Sequence, residues 1–346
     1  MSPYRFSSPA AMRVLLAPIW VLLGICASAT AWAQSPPSSG PVTEQAVSFS
    51  SWSPASYAEI RAGRESATPT PLSADLFLPA PTPRGEPLAA IVLLHGSSGF
   101  SNGYGRRIAA DFARDGIAAL VVYSYRSRGI DGRPSARELA RKVPRYAQIA
   151  DAYAALAFLS SHERIDPGRI ALGGFSIGGK TTVFAAIEEV ARAFQPDGRR
   201  FAAHVSYWGT CDALYEKLPA TGAPILLLIG EKDAVTPLPR CRELADNLRR
   251  AGAPVDLIVY ADAYHGWNAV DFAPRYFAER HNPAPCRWIL SGDGRLRETS
   301  TGVEGAWDDP ALAAGFACLA QGYTIGKNEA ASAKARRDVV SFLSGL

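Results

Sequence analysis

The chain has 346 residues, of which 48% are hydrophobic and 20% are charged, and this composition excludes a wholly disordered protein. Its 36 basic and 32 acidic residues are spread along the chain and give a formal net charge of only +4, so nucleic acid is not an expected partner. The length is compatible with two or three domains or with one α/β domain that carries additional segments.

The first 33 residues have the composition of a secretory signal peptide. Arg5 and Arg13 precede an apolar run over residues 14 to 26. The small-residue pattern Ala31-Trp32-Ala33 follows this run. We expect cleavage after Ala33 and a secreted or periplasmic location. An uncleaved anchor is the alternative, although the run is short and contains Pro18. No later stretch approaches the roughly 20 apolar residues of a membrane helix, so no stable span is expected after cleavage.

Residues 34 to 54 are rich in Ser, Pro and Gly and are expected to form a flexible linker. From residue 55 to residue 346, short apolar runs alternate with longer amphipathic stretches, which predicts an α/β catalytic domain with a mostly parallel central sheet flanked by helices. The predicted strands cover residues 74–78, 89–94, 118–123, 169–173, 202–207, 224–229 and 255–260. The predicted helices cover residues 104–115, 135–161, 177–194, 239–251 and 330–343.

The cysteines predict two disulfides. Residues 267 to 325 show no clear period and are expected to form an irregular insertion held by a disulfide. Export would leave four cysteines, an even number in an oxidising compartment. Cys211 and Cys241 belong to the same edge of the predicted sheet, and Cys286 and Cys318 both fall in the insertion, so we expect the bridges Cys211–Cys241 and Cys286–Cys318. No cluster of Cys and His has metal-ligand spacing, so no metal site is expected.

A G-x-S-x-G sequence, Gly174-Phe175-Ser176-Ile177-Gly178, joins a predicted strand to a predicted helix. At such a junction the serine of a nucleophile elbow is exposed above the sheet edge. The alternative is a glycine-rich turn that only packs a helix close to a strand. The strand before the motif and the helix after it favour Ser176 as a nucleophile.

A serine nucleophile needs a histidine that takes its proton and a carboxylate that orients the histidine. Asp233 and His265 each follow a predicted strand, and the order Ser176, Asp233, His265 is the order used by α/β enzymes of this kind. Asp233 could instead be a surface turn residue, and Glu231 competes with it for the role of the acid.

Hydrolysis also needs two donors for the oxyanion of the tetrahedral intermediate. We expect one to be the backbone N–H of Ile177, directly after the nucleophile. The second is expected from the loop after residue 94, with the N–H of Ser97 as first choice and that of Ser98 as the alternative. His95 in the same loop is expected to brace the loop.

These motifs together resemble the dienelactone hydrolase branch of the α/β-hydrolase fold. The resemblance covers about residues 74 to 265, resumes at residues 323 to 346, and is carried by His95-Gly96-Ser97-Ser98-Gly99, Tyr125-Arg126-Ser127-Arg128-Gly129, Gly174-Phe175-Ser176-Ile177-Gly178-Gly179, Asp233 and His265-Gly266. It implies hydrolysis of esters or lactones by a triad, through an acyl-enzyme and without a cofactor. The founding enzymes of that family use cysteine as nucleophile, whereas this chain has Ser176, which favours a general serine esterase.

Five side chains near the predicted site are candidates for contact with a small-molecule ester or lactone substrate: Tyr125, Arg126, Arg128, Trp208 and Trp267. An arginine there could pair with a substrate carboxylate, or it could be a solvated loop residue. The aromatic residues could equally be ordinary packing. A serine peptidase of the same fold and a catalytically silent binding protein are the alternative functions. The acyl and alcohol specificity and the oligomeric state are not predicted.

Overall fold

The computed structural model describes residues 41–54, 59–60, 69–81, 85–130, 142–143, 146–195, 197–306 and 309–346. The predicted signal peptide and the first part of the predicted linker, residues 34 to 40, lie outside these ranges. Within them, no helix combines the length and the apolar composition that crossing a membrane requires.

The centre of the fold is an eight-stranded sheet with the order β1-β2-β4-β3-β5-β6-β8-β9. The first three strands in this order pair antiparallel, and every other neighbouring pair is parallel. The central strands read as continuous apolar runs because helices cover both faces of the sheet. The strands are β1 (Thr43–Trp52), β2 (Pro69–Leu78), β3 (Leu88–Leu94), β4 (Ala118–Val122), β5 (Ile165–Phe175), β6 (Ala203–Tyr207), β8 (Ile225–Gly230) and β9 (Val255–Tyr260). The predicted α/β fold class is confirmed.

Six α-helices lie among the described residues: α1 (Tyr104–Arg114), α2 (Ala147–Ser160), α3 (Ile177–Phe184), α4 (Glu188–Phe194), α5 (Leu238–Arg250) and α6 (Glu329–Leu343). The helix predicted over residues 177–194 is two helices. The break falls at Ile187, which leaves the helical path to form a β-bridge with Ala220.

The linker prediction is wrong for residues 43 to 52, which form strand β1. All ten residues of β1 pair with β2. Val47 and Phe49 alternate with serines and pack against the core, so the strand has the period of two that a half-buried edge strand needs. The serine-rich composition concealed this alternation.

The segment predicted to be irregular contains five short strands: β10 (Arg275–Asn282), β11 (Trp288–Ser291), β12 (Arg295–Glu298), β13 (Glu304–Ala306) and β14 (Ala320–Ile325). Strands β10 and β14 form a two-stranded antiparallel ribbon, whereas β11, β12 and β13 form a second small sheet with β7 (Ala213–Glu216). The structure contains the two predicted disulfides, Cys211–Cys241 and Cys286–Cys318.

Candidate active site

Ser176 occupies the tight turn between β5 and α3. Its backbone has φ 53° and ψ −113°, a strained conformation for a residue with a side chain. The turn is closed tightly, because a Cβ added to Gly174 would lie 2.2 Å from the carbonyl oxygen of Gly178. Only glycine fits at position 174, which explains why the motif requires glycine two residues before the serine.

Ser176, His265 and Asp233 are joined by hydrogen bonds. The Ser176 Oγ lies 3.1 Å from His265 Nε2, and His265 Nδ1 lies 2.8 Å from Asp233 Oδ2. A carboxylate can only accept, so His265 carries its proton on Nδ1 and presents Nε2 as the acceptor for the serine hydroxyl. Asp233 and His265 are each only 4% exposed, which shields this pair from water.

Asp233, and not Glu231, is the carboxylate that bonds to His265. The second carboxylate oxygen of Asp233 accepts the backbone N–H of Val235 at 2.8 Å, so both oxygens have a partner. The exposed carboxylate of Glu231 instead accepts the backbone N–H of Asp262 at 3.1 Å. Glu231 therefore lies in the turn beside the site without reaching His265.

The loop after β3 packs directly against the nucleophile. A Cβ on Gly96 would approach the Cβ of Ser176 to 3.3 Å, so glycine at position 96 lets the loop backbone come close to the serine. The carbonyl of Gly96 accepts hydrogen bonds from the Gly99 N–H at 3.0 Å and from His95 Nδ1 at 2.8 Å. Because C=O and N–H point in opposite directions across a trans peptide, these bonds fix the direction of the Ser97 N–H.

The two N–H groups expected to bind an oxyanion are those of Ser97 and Ile177. Among the described residues, no group of the protein accepts a hydrogen bond from either of them. Ile177 is also the first residue of α3, where the helix dipole favours negative charge. Both donors are therefore available to a bound oxyanion.

His95 braces this loop, as the sequence suggested. Burial lowers the pKa of His95 to about 4, so its ring is neutral near pH 7. Its ring packs against Tyr125 with 4.2 Å between centroids. The carbonyl of His95 accepts a hydrogen bond from Gln148 Nε2 of α2 at 2.9 Å, while Gln148 Oε1 accepts the hydroxyl of Thr181 in α3.

Two aromatic residues contact the ring of His265. Trp208, in the loop after β6, meets it edge-to-face with 4.7 Å between ring centroids. Tyr323 of β14 meets it edge-to-face at 5.3 Å. Tyr323 was missed by the sequence reasoning because it lies in a segment without clear period, far along the chain from the motifs.

Of the five predicted substrate-binding residues, Tyr125 and Arg126 line a cavity of about 330 Å³ beside the glycine-rich loop. Ser98 and Tyr123 border the same cavity. Arg126 is exposed, with its guanidinium 5.5 Å from the centre of the Tyr123 ring. Substrate contact by Tyr125 and Arg126 stays a prediction.

The assignment of Arg128 to substrate binding is wrong. Its side chain is only 5% exposed and forms a salt bridge with Asp151, which is fully buried. The guanidinium also donates to the backbone carbonyls of Ser124 and Trp52 and to the hydroxyl of Ser53. All of its donor nitrogens are engaged within the protein, so Arg128 holds the fold together.

Trp267 is also a packing residue rather than a substrate contact. It is 0% exposed and packs against Trp208 and Tyr260. Trp208 itself is 4% exposed, and its indole N–H donates to Asn268 Oδ1 at 2.9 Å. Trp208 therefore acts on the site through its contact with His265.

The arrangement is suited to nucleophilic catalysis. It combines a hydroxyl, an imidazole oriented to accept the hydroxyl proton, a buried carboxylate and two backbone donors near one another. Within the described ranges, no group of three or more His, Cys, Asp or Glu residues is arranged to hold a metal ion.

Comparison with known proteins identifies a family that the chain matches. The model of the dienelactone hydrolase family matches residues 77–288, which is more than half of the chain. The chain is 31% identical over 157 residues to a protein of Methylorubrum extorquens named "Putative carboxymethylenebutenolidase", and 29% identical over 150 residues to a protein of the same name from Yersinia pestis. These matches cover 44% and 41% of this chain, and the chain spans about half the length of each curated relative (50% and 52%).

A solved structure also resembles this one. It is titled as a dienelactone hydrolase-like promiscuous phosphotriesterase from metagenomic libraries, and it matches with a TM-score of 0.53. The match covers 89% of this chain and 99% of the other, with 18% sequence identity. At that identity the likeness shows a common fold.

Proposed function

This chain belongs to the dienelactone hydrolase family, and from that premise we propose that it is a serine hydrolase that cleaves carboxylic esters or lactones. The observation that carries the proposal is the run of hydrogen bonds from Asp233 through His265 to Ser176. A structural serine at this position would not need a strained backbone or a histidine whose tautomer is fixed by a buried carboxylate.

In the proposed reaction, the Ser176 Oγ attacks the carbonyl carbon of the ester while its proton moves to His265 Nε2. The carbonyl oxygen becomes an oxyanion, which the N–H groups of Ile177 and Ser97 stabilise. Asp233 stabilises the imidazolium that forms. The tetrahedral intermediate collapses when the bond to the alcohol oxygen breaks, and His265 returns the proton to that oxygen.

The second half of the reaction repeats these steps with water. His265 removes a proton from the water as it attacks the acyl group on Ser176, and the proton then returns to the serine oxygen. The products are the carboxylic acid and the alcohol, or the open hydroxy acid in the case of a lactone. No cofactor takes part in this scheme.

We infer that the substrate is a small molecule with an anionic group near the ester. Arg126 supports this, because it is an exposed cation on the cavity beside the oxyanion loop. Ile177, next to the nucleophile, is 45% exposed, and its side chain offers an apolar contact for the remainder of the substrate.

We also propose that the protein acts outside the cytoplasm. The N-terminal 33 residues supply an export signal on sequence grounds, and the two disulfides are of the kind that persists in oxidising compartments. N-terminal sequencing of the protein recovered from periplasm and medium tests this. A mature chain that begins at Gln34 supports the proposal, whereas uncleaved cytoplasmic protein with free thiols contradicts it.

The activity is tested with nitrophenyl esters, lactones and peptides as substrates, and with a fluorophosphonate that labels activated serines. We expect ester or lactone turnover and labelling confined to Ser176. Ser176→Ala should lose at least about 1000-fold in kcat while its circular dichroism spectrum is unchanged. Ser73→Ala, at another serine of the central sheet, is the matched control and should retain activity.

Two results would contradict the proposal. One is Ser176→Ala with turnover near that of the unaltered protein, which would remove the nucleophile assignment. The other is turnover of peptides with none of esters or lactones, which would favour the peptidase alternative.

A further inference from the structure

The ribbon formed by β10 and β14 holds the backbone of the proposed catalytic base. Ile325, the last residue of β14, forms a parallel β-bridge with His265. The N–H of Gly326 then donates to the carbonyl of His265 at 3.3 Å. The loop that carries His265 is therefore held along the strand that ends the insertion.

The same strand contacts the imidazole ring through Tyr323. The two rings meet at an angle of 82° with 5.3 Å between centroids, and Tyr323 is only 8% exposed. Trp208 makes a second edge-to-face contact with the imidazole at 4.7 Å. An imidazole packed against two large rings has little space to rotate about its side-chain torsions.

The ribbon also contacts the segment that follows Asp233, the proposed catalytic acid. Tyr323 and Ile325 form a small apolar cluster with Val235, whose backbone N–H holds the Oδ1 of Asp233 at 2.8 Å. Tyr323 therefore packs against Val235, whose backbone orients the Asp233 carboxylate. It also packs against the His265 ring, to which that carboxylate is hydrogen-bonded. One side chain links both partners of the Asp233–His265 hydrogen bond.

We propose that Tyr323 is a positioning residue for His265, and that strand β14 holds both the ring and the backbone of that histidine. The effect that we expect on kcat rests on the proposed function. During turnover Nε2 must take a proton from the Ser176 Oγ and then deliver it to the leaving oxygen, so a ring free to tilt would lose alignment at both steps. Strand β14 lies beyond residues 77–288, which match the family model, so this role is assigned from the geometry of this chain.

The first test is kinetic and uses three substitutions. Tyr323→Leu keeps an apolar side chain in the cluster but removes the ring, and it should lower kcat by about 10- to 100-fold with a change in KM of less than about twofold. Tyr323→Phe keeps the ring and should restore most of that loss. Tyr276→Leu makes the same change at a residue of the same ribbon that is 64% exposed, and it should leave kcat unchanged.

The second test does not depend on turnover. In a Ser176→Ala background, the proton shared by His265 Nδ1 and Asp233 should give a downfield proton NMR signal, and the imidazole nitrogen shifts should report one tautomer. Tyr323→Leu should broaden or remove that signal, and Tyr323→Phe should retain it. If Tyr323→Leu does not fold, Tyr323→Met replaces it, since the flexible methionine side chain fills irregular space.

The outcomes separate this inference from the proposed function. A downfield signal that is unaltered in the folded Tyr323→Leu or Tyr323→Met protein overturns the positioning role, whether or not esters are hydrolysed. An altered signal in a protein that hydrolyses no ester upholds the positioning role and rejects the proposed function instead. A fall in kcat that tracks the unfolded fraction, with the signal intact, also overturns the inference because it indicates a purely structural role.

Discussion

Arg128 donates to both carboxylate oxygens of Asp151, from Nη1 at 2.8 Å and from Nη2 at 2.9 Å, in a pair that is almost completely buried. The hydroxyl of Ser51 in β1 donates to the same carboxylate at 2.6 Å. The pair therefore ties the loop after β4 and the edge strand β1 to helix α2. A buried ion pair of this kind contributes little net stability against an apolar pair, but the loss of one partner leaves an uncompensated charge.

We predict that Arg128→Met lowers the free energy of unfolding by about 3 to 5 kcal/mol, because it leaves the buried Asp151 carboxylate without its cationic partner. Urea denaturation followed by tryptophan fluorescence measures the change. Arg126→Met is the matched control, since Arg126 lies two residues away and is exposed, and it should change stability by less than about 0.5 kcal/mol. Equal losses in the two variants would mean that the buried pair is not a stabilising link.

Arg126 is predicted to act on substrate binding instead. Arg126→Gln should raise KM by about 10-fold or more for esters that carry a carboxylate, because a charge-assisted hydrogen bond is lost. For a neutral ester of the same size, KM should be unchanged. The comparison of the two substrates is the measurement, and a uniform effect on both would assign Arg126 a role other than recognition of an anionic group.

Asp233→Asn should reduce kcat by about 10 000-fold with the fold retained, because an amide can donate to His265 Nδ1 and so favour the wrong tautomer. Steady-state kinetics on a nitrophenyl ester measure the effect. Glu231→Gln makes the same chemical change two residues away, and it should have little effect because Glu231 bonds to the Asp262 N–H rather than to His265. The reverse pattern would move the acid role to Glu231.

The central sheet and the nucleophile turn could be predicted because their signals are local. Buried parallel strands leave continuous apolar runs, and the turn at Ser176 requires glycines at fixed positions. The proximity of Asp233 and His265 could be predicted because the carboxyl ends of parallel strands meet at one edge of the sheet. The strands, the turn and the order of these residues can each be recognised in short stretches of sequence.

The remaining features depend on tertiary partners that no local pattern identifies. Arg126 and Arg128 lie in the same loop after β4, and only the salt bridge of Arg128 with the buried Asp151 on α2 distinguishes them. Strand β1 has its apolar alternation diluted by serines, and its pairing depends on β2. Tyr323 lies 58 residues after His265, in short strands separated by turns that give no clear period.

The buried histidines should make the fold sensitive to mild acid. Burial lowers the pKa of His204, the second residue of β6, to about 4, compared with about 6.5 in an unfolded chain. The unfolded state therefore binds a proton that the native state does not between these two values. The stability contributed by the neutral imidazole is fully present above pH 6.5 and is lost as the pH falls towards 4. His95, with a pKa of about 4, adds to the same effect.

We predict that His204→Leu removes part of this pH dependence. In the unaltered protein the His204 contribution to unfolding free energy should fall by about 2 kcal/mol between pH 7 and pH 5. Urea denaturation at the two pH values should show a smaller fall for His204→Leu, whereas His281→Leu, at an exposed histidine of β10, should fall as the unaltered protein does. Identical pH dependence in all three proteins would show that His204 does not contribute.

The two disulfides are predicted to differ in their effect on catalysis. Cys211 lies three residues after Trp208, which packs on His265, and Cys241 lies in α5, which begins five residues after Asp233. This bridge therefore connects the loop that contacts His265 with the helix that follows Asp233. The bridge between Cys286 and Cys318 closes a separation of 32 residues within the insertion, before β14 begins.

Replacing either pair by serines should lower the free energy of unfolding by roughly 3 to 4 kcal/mol, because each bridge restricts a loop of similar length in the unfolded chain. The effect on kcat should be unequal. With both double variants assayed where they are fully folded, Cys211→Ser with Cys241→Ser should lose more activity than Cys286→Ser with Cys318→Ser, since the first change frees the Trp208 loop and α5 next to the triad. Equal activities at equal folded fractions would show that the first bridge stabilises the fold without holding the site.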